Sequence, residues 1–128
     1  MSIARRPVLA GLALAMLGGR AMARGGVMED PELFGMIGKM KARPGKRAEL
    51  IAILNSGTAG AMPGCIAYLI AEDVKDPEGI WITEIWDDAS SHKASLQLPA
   101  VRAAIARGRP LIASFELSAE TRPVTRPA

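Results

Sequence analysis

Apolar and polar positions alternate along residues 34–42 with the two-residue period of a strand. Phe34, Met36, Gly38 and Met40 fall on one side, and Gly35, Ile37, Lys39 and Lys41 on the other. Pro44-Gly45 ends that run, and Pro44 suits the first turn of a helix. From Lys46 to Gly57 the period changes: Leu50, Ile51, Ile53 and Leu54 gather on one side at helical spacing. Gly57 and Gly60 then loosen the end of the predicted helix. Met62-Pro63-Gly64 reads as a turn. Cys65 to Ala71 returns to period two, with Ile66, Tyr68 and Ile70 on one face and Ala67, Leu69 and Ala71 on the other. Glu72 to Gly79 is a polar hairpin connection. Ile80 to Trp86 is β-branched and aromatic throughout apart from Glu84, the composition of a well-formed strand. Asp87 to Ser91 is rich in residues that cap helices, which predicts a short helix over Ser90–Leu96. A longer helix starts at Pro99, with Val101, Ala104, Ile105 and Leu111 on one side and Pro110 as its terminator or kink. Leu111–Leu117 reads as the last strand, and residues 118–128 as a polar tail containing proline.

The predicted order, strand-helix-strand-strand-helix-strand, is the split βαβ or ferredoxin-like arrangement of an α+β domain. Its helices cover one face of a four-stranded antiparallel sheet. A sheet with one wet face should alternate apolar and polar residues. The strands at 65–71 and 80–86 do not: one of Trp81 and Trp86, and one of Tyr68 and Leu69, must face away from the helices. A domain of this size has no second layer of its own to cover them. The expectation is an isologous homodimer, sheet against sheet.

Charge and the N-terminus narrow the function classes. Arg5 and Arg6 precede an apolar run from Pro7 to Gly19 and a small-x-small step at Ala21-Met22-Ala23, the layout of a secretory signal peptide over residues 1–23. The adjacent arginines admit a twin-arginine signal as well as a Sec one. The run falls short of the roughly 20 apolar residues a bilayer span needs. Residues 24–33 would then be a linker and residues 34–117 the domain, in the periplasm or outside the cell. If translation starts at Met28 or Met36 instead, the protein is cytoplasmic. The formal charge of +3 comes from Arg5, Arg6 and Arg20; without the leader, 13 basic residues balance 13 acidic ones. A neutral domain gives no electrostatic reason to expect nucleic acid as a partner, and nothing later in the chain is apolar enough to span a membrane. The single Cys65 and single His92 exclude an intrachain disulfide and a His/Cys zinc site within one chain.

The runs FGMIGKMKARPGKRAEL, MPGCIAYLIAED and GIWITEIWDDASSHKASLQLPAVRAAI together resemble the antibiotic biosynthesis monooxygenase family, in particular its small quinol-monooxygenase-like members. The likeness spans about residues 34–117. It rests most on Glu84-Ile85-Trp86-Asp87 followed by a helix and Leu98-Pro99, and next on Pro63-Gly64-Cys65 leading to Tyr68. The resemblance implies a dimeric α/β barrel with a pocket between sheet and helices. It also implies oxidation of a phenolic or quinol-type ring by molecular oxygen with no metal or flavin cofactor. Other members of the fold bind haem, act on small metabolites or have no known activity, so a non-catalytic dimer that binds a small aromatic ligand, or a stress-related protein, is the alternative.

Such chemistry needs an apolar pocket, a base or hydrogen-bond acceptor for a ring hydroxyl, and donors for the charged intermediate. His92, the only side chain whose ordinary pKa suits proton transfer near neutrality, is the candidate catalytic base; the competing reading is a solvated surface histidine. Many family members carry histidines where this chain has Ser95 and Ala100. Tyr68, Trp86, Trp81, Asn55 and Met36 are candidates for contact with substrate. Trp81 and Trp86 equally suit packing, and Asn55 a solvated helix side. Glu84 is expected to pair with Arg43 or Lys39, because a buried carboxylate needs a partner. Cys65 reads as a small buried hydrophobe.

Overall fold

A computed structural model describes residues 32–58 and 61–127. The elements follow the predicted order: β1 (Phe34–Ala42), α1 (Arg47–Thr58), β2 (Cys65–Glu72), β3 (Gly79–Trp86), α2 (Ala89–Ser95), α3 (Pro99–Gly108) and β4 (Ile112–Thr121), with a single 3₁₀ turn at Arg109–Leu111 before β4. The strands form one antiparallel sheet in the order β2-β3-β1-β4. The expected leader and most of the linker lie outside the described residues.

Two Pro-Gly turns set the chain direction. In Arg43-Pro44-Gly45-Lys46 and again in Met62-Pro63-Gly64-Cys65, the fourth residue's N–H donates to the first residue's carbonyl, at 2.9 and 3.0 Å. The glycines sit at φ 76° and 85°. Proline at the second position and left-handed glycine at the third are what a type II turn requires. Gly64 does more: its carbonyl accepts from Asp87 N–H at 2.8 Å, tying the start of β2 to the end of β3. There Asp88 caps α2, its carboxylate accepting from Ser91 N–H at 2.8 Å. Pro99 opens α3.

The helices cover the sheet face bearing Met40, Ala42, Ile80 and Ile82, which with Leu50 form the main core. A smaller core at the other end of the strands joins Phe34, Trp86 and Ala89. Gly57 lies in the last turn of α1, where a Cβ would come within 2.7 Å of the Ala104 methyl, so the missing side chain lets α1 and α3 approach. β4 runs to Thr121, four residues past the expected end at Leu117. Ser118, Glu120 and Thr121 pair with Gly38, Met36 and Gly35 of β1.

The opposite sheet face carries Leu69, Ile37 and Leu117, which stay 61%, 37% and 42% exposed. Trp81 is on this face too. Its indole N–H donates to Asp73 at 2.8 Å, and Lys39, paired with Asp73 and Asp76 at 3.4 and 3.7 Å, lies over its ring. Of the two pairs left open by the sequence, Trp86 and Tyr68 face the helices, and Trp81 and Leu69 face away.

Candidate active site

A cavity of about 210 Å³ lies between the covered sheet face and the helices. Its walls are mainly apolar, with Met36, Met40, Leu54, Ile82 and Phe115 among them, while Tyr68, Glu84, Trp86, His92 and Ser95 bring polar groups to it. Strand register explains the polar end. Glu84 of β3 has Tyr68 of β2 on one side and Met36 of β1 on the other. It shares a face with Ile82 and Trp86, two residues away in each direction. The short helix α2 closes this end. Ala89, His92 and Ser95, three residues apart, are its buried side.

His92 is 3% exposed, so the surface reading fails. Its ring stands edge-on to Trp86 at 5.4 Å between centroids and tilted against Phe34 at 5.2 Å. Ser95 Oγ–H donates to the His92 carbonyl at 2.6 Å. Burial lowers the imidazole pKa from 6.5 to about 4, so the ring is neutral at pH 7. Its Nδ1 is buried with no hydrogen-bond partner among the described residues, and its Nε2 is 3.6 Å from Glu84 Oε1. That separation is a contact and too long for a hydrogen bond.

Glu84 pairs with neither Arg43 nor Lys39. Lys39 belongs to the Asp73–Asp76 cluster on the other face, and Arg43 is exposed and donates to the Pro110 carbonyl at 2.9 Å. The partner is Trp86, whose indole N–H donates to Glu84 Oε1 at 2.9 Å. Burial raises the Glu84 carboxyl above its ordinary value, and the Trp86 N–H opposes that. Tyr68 is raised in turn, first by burial and then by the Glu84 charge. The same two causes raise the half-buried Cys65 thiol. Both Glu84 and His92 are thus pushed toward their uncharged forms, each by its own burial.

Of the residues singled out from sequence, the fold brings His92, Tyr68, Trp86 and Met36 to this cavity. Trp81 is on the opposite sheet face, one residue out of phase with Ile82. Asn55 is exposed on α1; at 100° per residue it turns away from the inward side that Leu50 and Leu54 occupy. Glu84 and Ser95 were not expected as pocket residues. The signal for Glu84 was its parity with Trp86, and for Ser95 its spacing of three from His92.

Residues 33–107 match the antibiotic biosynthesis monooxygenase family. The chain belongs to that family. Among solved structures it is similar to a candidate antibiotic biosynthesis monooxygenase from Chloroflexus aurantiacus J-10-fl, at 56% identity over 75% of this chain and 97% of that one, with a TM-score of 0.72. A second candidate member, from Caulobacter crescentus CB15, is 19% identical over 75% and 93% of the two chains, with a TM-score of 0.67. SnoaB from Streptomyces nogalater, a cofactor-independent oxygenase, is 14% identical over 73% and 95%, with a TM-score of 0.64. At those lower identities the likeness establishes the fold, the ferredoxin-like one expected for this family. No curated protein sequence matches the chain. Among the described residues, no helix is long and apolar enough to cross a membrane, and no group of three or more His, Cys, Asp or Glu is placed to hold a metal ion.

Proposed function

We propose that this family member oxidises a quinol or another phenolic ring with molecular oxygen, without a metal or flavin, as a homodimer in the periplasm or outside the cell. The observation that carries the reading is the mainly apolar cavity with the buried Glu84–His92 pair, Tyr68 and Trp86 at one end. A ring hydroxyl lying there gives its proton to the pair. The electron-rich anion then passes an electron to oxygen, and one oxygen atom enters the ring while the other leaves as water, the substrate supplying both electrons. Trp86 and Tyr68 flank the ring, and the apolar walls keep water from the charged intermediate. His92 is the base in this scheme. Its contact with Glu84 need only shorten when substrate binds, as catalytic contacts commonly do.

The exposed row of Leu69, Ile37 and Leu117 supports pairing through the open sheet face. Sedimentation of wild type at twice the protomer mass, reduced to the protomer mass in the double variant Ile37→Glu, Leu69→Glu, is the expected result; a monomeric wild type removes the dimer. Ser95, standing where many family members have histidine, favours a second reading, a non-catalytic binder of a small aromatic ligand. Oxygen uptake with a panel of quinols separates the two. Turnover that falls by roughly 10²-fold or more in His92→Ala supports the oxygenase. An unchanged rate removes His92 as the base, and protection from thermal unfolding without uptake favours the binder.

A further inference from the structure

Glu84 is the only carboxylate among the described residues lining the cavity. Its two oxygens differ. Oε1 accepts from Trp86 N–H and touches His92 Nε2. Oε2 accepts no hydrogen bond from the described residues, yet it is not among the sealed polar atoms, and the side chain keeps 17% of its surface. The cations that border the cavity are elsewhere. Lys39 is held by Asp73 and Asp76 on the far side of the sheet. Arg109 is exposed beyond α3, beside Ile112, which pairs with Ala42 of β1, whereas Glu84 pairs with Met36. Six residues along a strand separate those two points by about 20 Å.

We infer that Glu84 determines the cavity's specificity: its unpartnered oxygen accepts the hydroxyl hydrogen of an uncharged aromatic ligand and excludes aromatic carboxylates. This rests on the proposed reading of the cavity as a ligand site and deepens it. A hydroxyl on a carboxylate makes a short, charge-assisted hydrogen bond. A ligand carboxylate in the same place must take up a proton or force Glu84 to, because no cation is at hand to balance two negative charges. An ether of the same shape leaves Oε2 desolvated and unpaired. The neutral His92 adds no positive charge that would reverse the preference. At about 210 Å³ the cavity is smaller than the roughly 300–1,000 Å³ of a drug-sized pocket, which limits the ligand to one or two rings.

Calorimetric titration of the full chain at pH 7 with 2-naphthol, 2-methoxynaphthalene and 2-naphthoate tests this without turnover. Wild type should bind 2-naphthol at least about tenfold more tightly than either of the others. Glu84→Gln keeps an oxygen for the Trp86 N–H and removes the charge, so 2-naphthoate should come within about threefold of 2-naphthol. Equal or tighter binding of 2-naphthoate by wild type overturns the inference, since the ligand then lies reversed, toward Arg109. A gap unchanged in Glu84→Gln, or no binding of any probe, overturns it too. If circular dichroism shows that the variant does not fold, the wild-type ranking alone decides. The expected ranking without oxygen uptake keeps this inference and loses the reaction; uptake without the ranking does the reverse.

Discussion

Replacing His92 with leucine should flatten the acid limb of the stability curve. The imidazole is buried, and burial lowers its pKa from 6.5 to about 4. In the unfolded chain the same ring takes up a proton at its ordinary value. Between the two, the unfolded chain binds more protons than the folded one, so stability rises with pH. The contribution of His92 is fully present above about pH 6.5 and is lost as pH falls to about 4. At about 1.4 kcal/mol per pKa unit, the loss across that window is on the order of 3 kcal/mol. That is a large part of the roughly 5–15 kcal/mol that holds a domain of this kind together. Glu84 acts in the opposite sense: its carboxyl is raised, so acidification through its folded pKa restores stability. Because Glu84 is present in both proteins, comparing wild type with His92→Leu isolates the histidine. Urea unfolding followed by tryptophan fluorescence at pH 7 and pH 4, at one protomer concentration, gives the difference directly. It should shift by about 3 kcal/mol in favour of the variant on going to pH 4. Parallel pH dependence of the two proteins would refute the reasoning, because the folded imidazole would then titrate as it does in the unfolded chain.

Two further substitutions probe the scaffold. Gly64→Ala places a Cβ at φ 85° and in collision with the Ser91 side chain, and thermal unfolding should show a loss of at least about 1 kcal/mol; an unchanged Tm would contradict the turn. Trp81→Phe removes the donor to Asp73 and should cost about 1 kcal/mol while leaving 2-naphthol affinity within about twofold, since Trp81 is on the face away from the cavity. A tenfold loss of affinity would return Trp81 to the site.

Much of the fold was legible because the strand and helix periods differ so plainly. The predicted β1, Phe34–Ala42, coincides with the observed strand, and Met62-Pro63-Gly64 marked its turn; Pro44, expected to open the helix, instead sits in the turn that precedes α1 at Arg47. The end of β4 was not legible. Its last residues, Ser118 to Thr121, are mostly exposed polar residues on an edge strand, so the ladder continues where the hydropathy signal stops. Two register shifts in the β1–β4 pairing break the alternation earlier in the strand, between Ile112 and Leu117. The site was half legible for a related reason. Parity groups Glu84 with Trp86 and separates Trp81 from both, but parity alone does not say which group the helices cover. From sequence, a cation is the expected partner of Glu84, because a buried carboxylate needs company. An indole N–H supplies that company two residues along the same strand, a contact that depends on side-chain direction and not on sequence spacing.

Isotope labelling with ¹⁸O₂ tests the proposed oxygenation most directly. The chain, freed of bound metal and flavin, should consume one O₂ per quinol, and mass spectrometry should find one labelled oxygen in the ring product and the other in water. Unlabelled product, or no consumption with any quinol that binds the cavity, would contradict it.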